Sequence, residues 1–352
     1  MKIPREILKC AIDEIVVRGD TDIFPHPFEL HFFADRAEGI AEELSQIDVT
    51  QYRPLSLVES LIPKSKFGFR VGHQPYPVDT LIYTALVLMI ADEIESMRDP
   101  ADKRRAFSYR KSPGLTADFF SDGHTFSDWL LGLKGKLFSE DYSHVIRTDI
   151  SDYYTRIYRH RLENILLALT KKQTVAKKIE SFISDWRGTQ SFGIPVGSNA
   201  SRLLAEIALH DIDMALVAEG IEHTRFVDDF RIFVRKGKDP YAALSFLAKL
   251  LWSNEGLALN SQKTKIMTWR EFFQSAGDDE SEDDVSKEEF ATEKLFRAAY
   301  GQDEVDEEAL AALTLKDLGK ELEDELEGTH WDMGKIRIVL HAMRLGCILI
   351  NG

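Results

Sequence analysis

The sequence predicts an α+β fold in which a small antiparallel sheet carries packed helices. Three observations support it. Residues 224–235 alternate apolar and polar side chains on either side of Asp228-Asp229, the pattern of two strands folded about a tight turn. Residues 144–150 read as a further strand that enters a turn at Asp149. Residues 80–97 and 201–219 repeat apolar side chains at three- and four-residue spacing, which predicts one amphipathic helix over each.

Taken in order, residues 1–60 read as mostly helical with breaks. Residues 61–75 hold a short basic strand-like piece, Lys64 to Val71, ended by Gly72, Pro75 and Pro77. The helix over 80–97 carries Leu81, Ala85, Leu86, Met89, Ile90 and Ile94 on one face. A loop-rich stretch over 99–125 precedes a helix to about residue 137. The helix over 201–219 turns Leu203, Leu204, Ile207, Ala208, Ile212 and Ala215 inward and ends at Gly220. Residues 241–255 read as helix, 276–308 as a polar acidic loop or insertion, and 335–350 as an apolar helix without a stop signal. Four regions are expected: 1–140, 141–270, an acidic insertion over 271–334, and the start of a helical region over 335–352.

With 352 residues, 44% apolar and 29% charged, the composition is that of a soluble globular protein. The apolar run over 81–91 stops at Asp92-Glu93, too short to span a bilayer, and no signal region opens the chain. Two cysteines, Cys10 and Cys347, exclude a disulfide scaffold, so a cytoplasmic location is expected. The net charge of −15 at first argues against a polyanionic partner. Residues 271–330, however, hold 21 acidic and 5 basic residues, a net of −16, and the remaining chain carries +1. The acidity belongs to one segment and leaves nucleic-acid binding open elsewhere.

Phosphate-loop, nucleophile-elbow, zinc-protease and paired-cysteine motifs are missing. What remains is carboxylates in strand-turn settings: Asp149 at a strand tip, and Asp228 with Asp229 at a hairpin tip. Carboxylates brought together repel one another, and a divalent cation with oxygen ligands is the usual remedy. Two further acidic pairs, Asp278-Asp279 and Asp283-Asp284, lie in the solvated insertion.

Four strings follow in order: Asp149-Ile-Ser-Asp-Tyr-Tyr154, Gly193-Ile-Pro-Val-Gly-Ser-Asn-Ala-Ser201, Phe226-Val-Asp-Asp229 and Leu259-Asn-Ser-Gln-Lys-Thr264. Their order and spacing resemble motifs A to D of reverse transcriptases, and residues 62–71 resemble the paired fingers strands of that family. The resemblance covers about 54–267. Within the family the chain is most similar to bacterial defence-associated (abortive-infection, "unknown group") reverse transcriptases. It implies the fingers and palm of a right-hand polymerase, followed by the acidic insertion and a helical segment.

By that resemblance Asp149 and Asp228 hold two Mg²⁺ ions, with Mn²⁺ as an alternative. The Ile150 carbonyl is a further ligand and Asp229 a supporting carboxylate. Tyr154 would stack under the incoming sugar and exclude a ribose 2′-hydroxyl; Tyr153 reads as core. Lys64 and Arg70 would clasp the triphosphate, and Lys263 would be the general acid for pyrophosphate. Gly197 and Ser198 belong to the nucleotide side, and Gly193, Val196 and Arg202 to template and primer. For Arg202, a phosphate contact and an i,i+4 salt bridge to Glu206 both stay open.

Expected partners are dNTPs, an RNA template such as a noncoding RNA, the DNA product, and a second copy or defence subunit, with no membrane. Three departures from the family pattern stand out: Val196 where glutamine is usual, Arg202 where proline is, and Phe226 where tyrosine is. A valine side chain donates no hydrogen bond near the templating pair, so altered templating is expected. An acidic stretch after Lys263 would repel a duplex, which points to a thumb supplied elsewhere. An untemplated or protein-primed polymerase and a non-catalytic RNA-binding scaffold are the alternatives.

Overall fold

A computed structural model describes residues 1–19, 24, 27–65, 68–116, 118–139 and 142–272, with a few positions between 319 and 326. All but a few positions of the expected acidic insertion, and the whole of the helix expected over 335–350, lie outside the described residues. Contacts divide the chain into two units, Met1–Glu59 with Gly72–Phe273 and Ser60–Val71 with Gln274–Gly352. Among the described residues, no helix is long and apolar enough to cross a membrane.

Two helices, α1 (Arg5–Arg18) and α2 (Glu29–Gln46), open the first unit, and α2 is kinked at Arg36. Strands β1 (Val58–Ser65) and β2 (Gly68–Gln74) then form a two-stranded sheet whose tip, Ser60–Val71, belongs to the second unit. Gly72 does not end β2, which runs on to Gln74.

The helix expected over 80–97 is two helices, α3 (Pro77–Leu88) and α4 (Ala91–Met97), broken where Ile90 leaves helical geometry (φ −124°, ψ 7°). Nor is α3 amphipathic. Every residue from Asp79 to Leu88 is buried, because α3 packs against α1, α8 (Gln173–Arg187) and α9 (Asn199–Ala208) at once. The helix expected over 201–219 is likewise split, into α9 and α10 (His210–Ala218), at Leu209. Its inward residues are placed as expected, save that Ala215 is only half-buried.

The remaining helices are α5 (Phe126–Ser139), the single turn α6 (Tyr153–Arg156), α7 (Arg159–Leu169) and α11 (Pro240–Leu250). The last continues as a π-helical turn, Leu251–Glu255, so the helix read over 241–255 changes type part-way.

A four-stranded antiparallel sheet of order β4-β5-β3-β6 lies at the centre, with β3 Tyr142–Asp149, β4 Glu222–Phe226, β5 Asp229–Arg235 and β6 Lys265–Thr268. Period-two alternation sorts its faces. Phe230, Ile232, Val234 and Ile146 enter the core with the helices. On the opposite face, Asp149, Arg147 and Val145 stand across from Asp229, Arg231 and Phe233. There the guanidinium of Arg231 lies 4.9 Å from the ring centre of Trp129 on α5.

Candidate active site

The end of β3 meets the β4–β5 turn. Asp149 and Asp229 are register partners and share a sheet face, while Asp228 sits in the turn between β4 and β5. The Ile150 amide donates to the Asp228 carbonyl at 3.2 Å, tying the two acidic segments together by backbone. Val227 opens the turn at φ +54°, a region that β-branched residues avoid, at a cost of about 1–3 kcal/mol.

A third segment closes the site from below. The Asn260 amide donates to the Asp149 carbonyl at 2.7 Å and the Ser151 amide to the Ala258 carbonyl at 2.9 Å. Thr148 and Thr264 share a hydroxyl bond of 2.7 Å. This docking brings the Lys263 ammonium to 2.8 Å from Asp149 Oδ2. Behind the acidic row stands a basic one, Arg147 across from Arg231, with Arg231 3.6 Å from Asp229.

The electrostatics follow from crowding. Burial first, then the charges of Asp149 and Asp229, push the Asp228 carboxyl up to about 7. Burial also raises Asp229, against the pull of Arg231. Burial works to lower Lys263, but its bond to Asp149 and the neighbouring carboxylate charges carry it above the ordinary lysine value. Among the described residues, no three carboxylate, imidazole or thiol groups stand closed as a metal cage. The donor set still fits magnesium: hard carboxylate oxygens, on adjoining backbone segments, whose mutual repulsion a divalent charge would relieve.

The second expected string packs against this site. The Ile194 amide donates to the Tyr154 carbonyl at 3.0 Å and the Gly193 amide to the Ile157 carbonyl at 2.8 Å. Gly193 adopts φ +92°, and a Cβ there would stand 3.1 Å from the Thr155 carbonyl oxygen, so the close approach needs glycine. Gly197 is at φ +119°, and Ser198 then caps α9, its hydroxyl accepting from the Ser201 amide at 3.2 Å. The Val196 amide donates to Nδ1 of His73, a fully buried histidine on β2, at 3.2 Å.

Tyr153 is core, its hydroxyl donating to the Ala205 carbonyl. Tyr154 is half-buried; burial holds its phenol well above the usual tyrosine value, with Tyr109, Arg202 and Asp228 also acting on it. Arg202 donates to Asn199 Oδ1 at 2.7 Å and lies over the Tyr109 ring. Glu206 instead receives Arg98, Arg225 and Ser108, so the ion pair considered for it with Arg202 gives way to that set. Phe226 packs with Phe126, Trp129 and Tyr109. Lys64 and Arg70 lie on β1 and β2, in the second unit, where Arg70 is exposed.

Residues 62–305 match the family model described as reverse transcriptase (RNA-dependent DNA polymerase). The chain belongs to the reverse transcriptase family. It therefore carries the domain of an RNA-directed DNA polymerase, a nucleotidyltransferase, a family that uses divalent metal ions. Among curated proteins no relative matches.

Solved structures of yeast telomerases are similar to this reverse transcriptase chain. One is telomerase from Candida albicans in complex with a fragment of telomeric RNA: 14% identity, 69% of this chain and 46% of that one, TM-score 0.45. Another is Candida tropicalis telomerase truncated from its C-terminal domain: 17% identity, 66% and 55%, TM-score 0.45. A third, apo telomerase from the same species, shows 13% identity over 70% and 50%, with TM-score 0.44. The chain spans about half the length of these telomerases.

Sequence reasoning missed the groups that hold the reverse transcriptase turn from behind. Ser108, Glu206, Asp213 and Arg225 are all buried, and all sit in segments read as loop, helix face or strand. Charged residues inside apolar-rich runs, such as Glu206 in Leu203–Ala208 and Arg225 beside Phe226, were the available signal.

Proposed function

We propose that this chain extends a primer with deoxynucleotides on an RNA template, by two-metal phosphoryl transfer. One observation supports it above the others: Asp149, Asp228, Asp229 and Lys263, from three separate stretches of sequence, gather at one end of the central sheet. Asp149, Asp228 and the Ile150 carbonyl, with Asp229 in support, are the groups that would hold two Mg²⁺ or Mn²⁺ ions. Bound there, they would supply Lewis-acid chemistry: a lower pKa for the primer 3′-hydroxyl and neutralisation of charge on the departing pyrophosphate.

The chain's own groups supply the rest. Lys263, kept protonated by the carboxylates around it, holds a proton for the leaving pyrophosphate. Tyr154, whose phenol feels the Asp228 charge, excludes a ribose 2′-hydroxyl. Gly197 and Ser198 line the nucleotide, Gly193, Val196 and Arg202 face template and primer, and Lys64 and Arg70 clasp the triphosphate.

The strings over 193–206 that resemble bacterial defence-associated reverse transcriptases support a cytoplasmic antiphage role, with a noncoding RNA as template and a second copy or subunit as partner. Val196 favours one further reading, synthesis with little or no dependence on a template.

The test is incorporation of labelled dNTPs by the purified chain with Mg²⁺ and any co-purifying RNA, beside the Asp228→Ala, Asp229→Ala double variant. Signal lost in the variant supports the polymerase. A product complementary to the RNA supports templating, and a random or homopolymeric product supports the second reading. Phage protection retained by the double variant would overturn catalysis as the function.

A further inference from the structure

Behind the acidic turn lies a buried group of charges that none of the catalytic roles above uses. The Glu206 carboxylate on α9 is its hub. One oxygen, Oε1, accepts from the Ser108 hydroxyl at 2.5 Å. The other, Oε2, accepts from Arg98 at 2.9 Å and from Arg225 Nη1 at 2.8 Å. Arg225 also forks onto Asp213 of α10, with Nε 3.0 Å from Oδ1 and Nη2 2.8 Å from Oδ2. Arg225, Glu206 and Ser108 are all within 1% of full burial.

This network ends on the backbone of a single residue of the turn. The Val227 amide donates to the Ser108 hydroxyl at 2.8 Å, and the Val227 carbonyl accepts from Arg225 Nη1 at 3.0 Å. Both polar groups of the one residue at positive φ in the turn, immediately before Asp228, are thus held by side chains that Glu206 joins. Ser108 is itself fixed, since residues 105–107 run beside β4: the Arg225 amide donates to the Arg105 carbonyl and the Phe107 amide to the Arg225 carbonyl.

Valine does not choose φ +54° by itself. Something outside the turn must hold it there, and the two bonds on Val227 are placed to do so. With the Ser108 hydroxyl gone, the buried Val227 amide loses its acceptor and Glu206 Oε1 its donor, and the turn is free to relax to negative φ. Asp228, the next residue, would move with it.

We propose that Ser108, Glu206 and Arg225 form a buried clamp on the Val227 backbone that sets the place of Asp228, making the three positioning residues of the active site. This rests on reading Asp228 as a metal-holding carboxylate. Its effect passes through the backbone, so it differs from a network that only stabilises the core.

The experiment compares the full chain with Ser108→Ala, Ser108→Thr, Arg225→Lys and Leu216→Ala. Leu216 is fully buried on α10, and its truncation controls for lost stability. Two readouts are taken below the melting temperature of every variant. The first is dTTP incorporation on poly(rA) with an oligo(dT) primer and Mg²⁺. The second is Mn²⁺ binding, followed by the electron paramagnetic resonance of free Mn²⁺, with Asp149→Asn as the site control.

Ser108→Ala and Arg225→Lys are expected to lower kcat by about 100-fold with KM for dTTP nearly unchanged, as for a misplacement of about 1 Å. They should weaken Mn²⁺ binding about 10-fold or more. Ser108→Thr restores both, and Leu216→Ala moves neither. Equal effects in Leu216→Ala and Ser108→Ala would overturn the clamp, as would wild-type kcat and Mn²⁺ affinity in Ser108→Ala. If the wild type extends no primer, the polymerase reading fails on this template while Mn²⁺ binding still decides the clamp. Absence of Asp149-dependent Mn²⁺ binding overturns both the metal reading and the clamp.

Discussion

In the metal-free protein, Asp228→Asn should stabilise the fold while destroying activity. Burial, Asp149 and Asp229 push the Asp228 carboxyl up to about 7, whereas in the unfolded chain it titrates near its ordinary value of about 3.9. Between those two pH values the native state binds more protons than the unfolded state, so stability falls as pH rises through the window and is flat above it. Three units correspond to a ceiling of about 4 kcal/mol. Asp228 is only half-buried, and solvent screening reduces this to about 2 kcal/mol, or about 4–8 °C in melting temperature.

The assay is thermal unfolding of wild type and variant in EDTA at pH 8 and pH 4.5. The variant should melt higher at pH 8, and the gap should nearly close at pH 4.5, where the wild-type group is protonated. Millimolar Mg²⁺ at pH 8 should then raise the wild type and leave the variant behind, because only the intact carboxylate set gains binding energy. A variant that melts below wild type in EDTA at pH 8, or a gap of equal size at both pH values, would refute the reasoning.

Other perturbations separate the parts of the site. Asp213→Asn removes one carboxylate from the buried Arg225 pair and should cost about 3 kcal/mol in urea unfolding. Burial opposes the Asp213 charge but Arg225 and His223 outweigh it, holding this acid far below the usual range, so its contribution is complete above about pH 5 and fades as the solution is acidified further. Tyr154→Ala should cut discrimination against rNTPs by about 10-fold or more in single-nucleotide incorporation, through loss of a steric gate worth about 1–3 kcal/mol. Val196→Gln should alter product sequence or length when products are sequenced, and unchanged products would remove Val196 from the templating account.

Much of the central sheet was legible because its signal is local. The alternation about Asp228-Asp229 predicted β4, β5 and the turn between them. Helix breaks were less visible. Residues 80–97 and 201–219 keep their apolar spacing straight through the interruptions near Ile90 and at Leu209, since both halves of each pair face the same core. In α3, burial on all sides leaves no polar face for periodicity to detect. The spacing of Val175, Ile179, Phe182, Ile183 and Trp186 marks α8 plainly, yet the four motifs drew the reading to either side of it.

The polar interior is the part that local pattern hides. An arginine in an alternating strand reads as outward-facing, but Arg225 turns inward because Glu206 on α9 and Asp213 on α10 supply the charges that pair it. Ser108 falls in a stretch that reads as loop, and its segment is ordered by two backbone bonds to Arg225 rather than by any repeat of its own. Such an arrangement is costly to bury and useless unless complete, so its location directly behind Val227 is informative. A core network needed only for stability could end anywhere on the sheet. This one ends on the strained residue that precedes Asp228, where backbone geometry sets how the acidic residues meet.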